Sequence, residues 1–194
     1  MSVEEEKAAV ELLQGSPETK RNRSQLVPVT FEAVRYTVKV KKAEKVILDG
    51  ISGVMPAGRM TALMGPSGSG KTTLLDVLAG RKTSGAIEGE VLFAGQKLAR
   101  GALRNLTGYV EQFDTLIGEL SVKQMLMYTA ELKLPPATSR ADKEARVQRV
   151  ITKLGLEGCA DTTIGNVLQR GISGGQAKRV NIALALITQP RVLF

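Results

Sequence analysis

Eight consecutive residues, Gly65-Pro66-Ser67-Gly68-Ser69-Gly70-Lys71-Thr72, carry the sharpest chemistry in the chain. Gly65, Gly68 and Gly70 let the backbone take conformations closed to residues with side chains, so successive N–H groups can converge on one anion. A cation and a hydroxyl follow at once. At this spacing Lys71 reaches the β- and γ-phosphates of a nucleotide and the Thr72 hydroxyl ligates Mg²⁺. Thr73 adds a further hydroxyl for an α-phosphate oxygen. The chemistry is the grip on a triphosphate. The sequence holds no N-K-x-D run of the guanine-specific kind, which favours adenine, so ATP with Mg²⁺ is the expected cofactor.

A second run, Gly171-Ile172-Ser173-Gly174-Gly175-Gln176, repeats part of that logic. A serine at a helix start followed by two glycines offers backbone N–H groups and a hydroxyl to another anion. Two phosphate sites are redundant for one nucleotide. They make sense if the second faces the nucleotide of a partner subunit, in a head-to-tail dimer with ATP in the seam.

These loops need elements to hold them. Met60 to Met64 precedes the first glycine run as a short apolar stretch, which predicts a strand covered on both faces. Leu74, Leu75, Val77 and Leu78 after it predict a helix. Upstream, Val34, Tyr36, Val38 and Val40 alternate with polar residues, the period of a strand with one wet face. Lys41, Lys42 and Lys45 make a polar turn. Glu88 to Phe93 and Leu106 to Val110 are further strand candidates. The second half is helical. Ser121 with Gln124 is a capping-box pattern, Pro135-Pro136 ends that helix, and Ser139 caps a second with Val147, Val150, Ile151 and Leu154 on one face. A third helix fits Ser173 to about Ile187, and Arg191 to Phe194 returns to apolar chain. Strands, a helical stretch, then an apolar return predict an α/β protein with a helical insertion.

Ile172 to Gln176 resembles the L-S-G-G-Q signature of ABC-transporter ATPases, with Ile172 in place of leucine. Gln112, closing Gly108-Tyr109-Val110-Glu111-Gln112, matches their Q-loop. Thr61 to Gly65, Leu74 to Lys82, Gly89 to Phe93 and Arg170 to Arg179 are similar to the G subfamily, the white/pleiotropic-drug-resistance type. The resemblance covers Val29 to Phe194. It implies a P-loop NTPase (RecA-like) fold: a parallel sheet core, an antiparallel β subdomain and a helical subdomain at about 115–180, all within a nucleotide-binding domain over 28–194. Gly65, Pro66, Ser67, Gly68, Ser69, Gly70, Lys71, Thr72 and Thr73 would then wrap the triphosphate. Gln112 would complete the Mg²⁺ shell with Thr72, and Ser173, Gly174, Gly175 and Gln176 would close over ATP bound to a second ABC ATPase domain. For the adenine ring, Tyr36 and Val46 both stand as contacts. An exporter's transmembrane domain is implied downstream, which would put this chain at the cytosolic face of a membrane, with no nucleic-acid partner.

In that family the strand at Arg191 to Phe194 runs on into an aspartate that holds Mg²⁺ and a glutamate that polarises the attacking water. The sequence stops at Phe194, before those Walker B carboxylates. The expectation is the N-terminal portion of a half-transporter with no catalytic residue of its own. Loss of a positioned acid/base group costs about 10²- to 10⁴-fold in rate, so little turnover is expected of the chain alone. A soluble ABC ATPase acting on ribosomes or DNA, and a non-hydrolysing nucleotide-binding module, are the alternatives.

Composition narrows the field further. With 194 residues, 43% of them hydrophobic and 24% charged, the chain can fold around a real core. Its net charge of +8 suits anionic partners such as phosphates. The absence of histidine excludes a histidine triad or a histidine metal site. One cysteine, Cys159, cannot form an internal disulfide and predicts a thiol-reducing interior and a buried or inert thiol. Residues 1–27 nearly balance their charges and read as a flexible tail.

Overall fold

The computed structural model describes residues 28–41, 43–112, 115–166 and 169–194; the tail over 1–27 and Lys42 of the polar turn lie outside the described residues. The described chain divides into two compact units, one ending at Thr107 and joined by Phe194, the other Gly108–Leu193.

The first unit is built on a three-stranded antiparallel sheet. Strands β1 (Val29–Val40), β2 (Ala43–Met55) and β3 (Ala86–Phe93) lie in the order β2-β1-β3. The predicted alternation is present: Val34 and Tyr36 are buried, whereas Val40, at the hairpin end, is exposed. Register slips between Phe31 and Val34, where Ala33 takes a φ of 48° and its N–H donates to Ser52 Oγ at 2.9 Å. The bulge adds twist without leaving that amide bare. Helix α1 (Lys71–Leu78) supplies Leu74, Val77 and Leu78, which pack with Val34, Tyr36 and Leu48 as one apolar cluster. A short helix α2 (Arg100–Leu106) follows, burying Ala102 and Leu106 four residues apart.

Two strand expectations are corrected. Met60 to Met64 forms no strand, and its ends lie open, with Met60 99% and Met64 85% exposed. A strand needs a neighbour's N–H and C=O groups, and none of the described residues pairs with this segment. The strand proposed over Leu106 to Val110 shrinks to β4 (Thr107–Gly108), because Leu106 completes the buried face of α2. β4 pairs with β5 (Val192–Leu193) as a parallel two-stranded sheet.

The second unit is helical, as its periodicity predicts. Helices α3 (Val122–Lys133), α4 (Arg140–Lys153) and α5 (Gly174–Leu186) share a core that includes Val122, Leu126, Ala130, Val147, Ile151, Val180, Ala183 and Ile187. Ser121 and Gln124 form the predicted capping box, each side chain bonding the other's backbone N–H. Ser139 Oγ accepts from Asp142 N at 3.1 Å at the head of α4. The buried Lys143 of α4 pairs with Glu131 of α3, so its ammonium keeps a carboxylate partner. Burial, reinforced by the like charge of Arg149, holds the Arg146 guanidinium below its ordinary pKa; its Nη1 donates to Ile187 O at 3.3 Å. Cys159 is buried, with Sγ 3.5 Å from Leu156 O, and makes no disulfide. Among the described residues no helix is long and apolar enough to cross a membrane.

Candidate functional site

The glycine run leads from an exposed loop into α1. Ser69 N donates to Pro66 O at 3.3 Å, which closes a turn, and Gly68 and Gly70 take φ values of 80° and 88°. Gly70 is the N-cap of α1 and brings no side-chain cap. A Cβ there would lie 3.0 Å from Leu48 Cδ2, on a backbone already in the left-handed region, so only glycine fits. The amides of Lys71, Thr72 and Thr73 meet no acceptor among the described residues. The positive end of the helix therefore opens onto the loop.

Lys71 is held over that opening. Its Nζ donates to Gly65 O at 2.9 Å and to Pro66 O at 2.7 Å. An ammonium has three N–H donors. Two are spent on the loop's own carbonyls, which fixes the cation and leaves the third for a phosphate oxygen. Thr72 is exposed and Thr73 half-buried on the first turn of α1. Pro66, Ser67 and Ser69 lie on the exposed rim of the same loop. The loop can cradle a polyphosphate.

The remaining predicted residues lie in the second unit. Gln112 is exposed at the bend after β4. Ser173 is the N-cap of α5; its Oγ accepts from Gln176 N at 3.3 Å while Ser173 N donates to Gln176 Oε1 at 2.7 Å. Both side chains thus serve a capping box, as Ser121 and Gln124 do at α3. The turn is set in place by Gly171, where a Cβ would fall 2.1 Å from Ile164 O, a backbone approach that any side chain would block. Ser173, Gly174 and Gly175 face outward, away from the unit's core.

The two capping boxes differ in what they leave over. At α3, Val122 N donates to Thr162 O at 3.2 Å and Lys123 N to Ala160 O at 2.8 Å, so the first-turn amides are satisfied within the unit. At α5, the equivalent amides of Gly174 and Gly175 find no acceptor among the described residues. A Cβ on either glycine would meet nothing within 4 Å, and neither has a positive φ. Packing and backbone strain among the described residues therefore do not require glycine there.

Two residues without motif status hold this turn. Lys178 Nζ donates to Glu111 O at 2.7 Å and Gln112 O at 3.1 Å. Arg179 Nη1 donates to Leu154 O and Gly155 O, each at 3.1 Å, and Nε to Gly175 O at 3.4 Å. Both stand just past the glycines, but apart from Gly175 O, four residues back, their targets are 24 to 67 residues away and no local spacing announces them. Of the two residues weighed for adenine, Tyr36 is a core residue: its ring is buried, and its hydroxyl donates to Ser84 O at 3.0 Å. Val46 is 41% exposed.

An α/β chain with this loop between apolar chain and a helix is a P-loop NTPase. The ABC transporter family model matches residues 48–194. ABC transporter G family member 22 of Dictyostelium discoideum is 41% identical over 188 residues, covering 92% of this chain and 30% of that protein. ABC transporter G family member 11 of Arabidopsis thaliana is 48% identical over 151 residues, covering 76% and 21%. The broad substrate specificity ATP-binding cassette transporter ABCG2 of Bos taurus is 40% identical over 194 residues, covering 94% and 29%. The chain belongs to the ABC transporter family, as an ATP-binding domain of the G-subfamily type. It spans less than a third of the length of these relatives.

Proposed function

We propose that this chain is the ATP-binding motor domain of a G-subfamily exporter, in which ATP binding and hydrolysis drive movement of a substrate through a transmembrane domain. The triphosphate lies along Gly65 to Thr73, with Lys71 neutralising phosphate charge and the open amides of α1 completing the cradle. Mg²⁺ fits the donors on offer. It binds through few protein ligands plus phosphate oxygens, and the exposed Thr72 hydroxyl supplies an oxygen of the hard kind it prefers. A second ABC ATPase domain, identical or related, lays its Ser173 turn over this nucleotide, and the Ser173 turn of this chain covers the partner's. The assembly works at the cytosolic face of a membrane.

The observation that carries this reading is the pair of amides at Gly174 and Gly175. Each glycine costs up to about 1 kcal/mol in a helix relative to alanine, and nothing among the described residues explains that cost. An anion brought from outside does, because it satisfies both amides and needs the space a side chain would fill.

The test is ATP affinity. Replacing Lys71 by alanine is expected to weaken ATP binding about tenfold or more, the scale of one charge-assisted hydrogen bond. A titration in which Lys71→Ala binds ATP as well as the parent removes the basis for the phosphate-loop assignment.

A further inference from the structure

We infer that Lys178 is a positioning residue that ties the Gln112 loop to the signature helix, so that nucleotide contact at either end is felt at the other. The inference rests on the ATP reading above and assigns a role to a residue outside its motifs.

The geometry is specific. Lys178 lies on α5, five residues after the N-cap Ser173, on the same helix whose first-turn amides face outward. Its ammonium spans to two successive carbonyls, those of Glu111 and Gln112, at 2.7 and 3.1 Å. These bonds grip the backbone of the bend and leave the Gln112 side chain, the group expected at Mg²⁺, outside the grip. Charge-assisted bonds of this kind are short and about twice as strong as neutral ones. Arg179 fixes the other flank of α5 by donating to Leu154 O and Gly155 O at the end of α4. With that flank anchored, a shift of α5 on engaging a partner's nucleotide has its most direct outlet through Lys178 into the Gln112 bend. A displaced Gln112 pulls α5 by the same two bonds.

The experiment uses the intact protein and two variants: Lys178→Met, which keeps the length of the side chain and removes its donors, and Lys178→Arg, which keeps charge and donors. Amide hydrogen exchange is followed in segments 109–117 and 170–178, without nucleotide and with Mg-ATP. The parent is expected to slow exchange in both segments together when Mg-ATP binds. Lys178→Met is expected to exchange about tenfold faster over 109–117 without nucleotide, as the loss of charge-assisted bonds dictates. It should also lose the joint response to Mg-ATP. Lys178→Arg should recover most of each effect.

Unaltered exchange over 109–117 in Lys178→Met overturns the inference. So does faster exchange throughout the domain that arginine does not rescue, because that is the mark of general destabilisation. A parent in which Mg-ATP slows neither segment overturns it as well. Retention of ATP affinity by Lys71→Ala strikes the nucleotide reading instead, and the nucleotide-free comparison over 109–117 stays independent of that result.

Discussion

Ser173 and Gly174 separate the two duties of one helix start. The Ser173 hydroxyl is committed to the cap of α5, so Ser173→Ala is expected to destabilise the domain by about 1 kcal/mol, read by thermal or urea unfolding. Gly174 has no such duty among the described residues, because a Cβ there meets open space on ordinary backbone. Gly174→Ala is therefore expected to hold or raise stability by up to about 1 kcal/mol. The same substitution should abolish ATP-driven association of two domains, followed by light scattering. A variant that is both destabilised and fully able to associate would show that the glycine serves local packing. The residue types at both loops were legible in the sequence because nests and caps are written in short spacing. The carbonyls that Lys71, Lys178 and Arg179 reach were not, since a side chain six or sixty-seven residues from its acceptor leaves no periodic trace.

Among the elements, the helices followed their patterns most closely. Apolar residues at three- and four-residue intervals mark the side that must be covered, and Val147, Ile151, Val180 and Ile187 are all buried on those sides. Leu126 sits at the centre of the three-helix core with no exposure. Leu126→Ala is expected to cost about 2–5 kcal/mol in unfolding free energy, the range for a buried leucine. A loss below about 1 kcal/mol would mean the helices repack freely, which the unbroken apolar cluster argues against. The strand patterns were less decisive. Val34 and Tyr36 turned inward as their alternation required, whereas Met60 to Met64 has strand composition and no strand. A helix satisfies its own backbone, but a strand depends on a neighbour that its local sequence does not name.

For the whole molecule, ligand linkage gives the broadest test. A ligand that binds only the folded state stabilises it by mass action, by about 2.7 kcal/mol at one hundred times its dissociation constant. Mg-ATP at that excess is expected to raise the unfolding midpoint measurably, and chelation of Mg²⁺ by EDTA should reverse most of the rise. A midpoint that ignores both would count against the bound triphosphate. The net charge of +8 works in the same direction, since it raises the local concentration of an anionic nucleotide and makes the on-rate fall with added salt.

The sequence by itself determined the glycine run ahead of α1, the capped helices and the family, because each is encoded by residue type over a few positions. Only the tertiary structure decided that Tyr36 is core, that Lys71 is clamped by its own loop, and that Lys178 grips the Gln112 bend. It alone also showed that, among the described residues, the first-turn amides of α5 lack the partners that α3 enjoys. Those facts depend on which distant groups the fold brings within about 3 Å, the reach of a hydrogen bond.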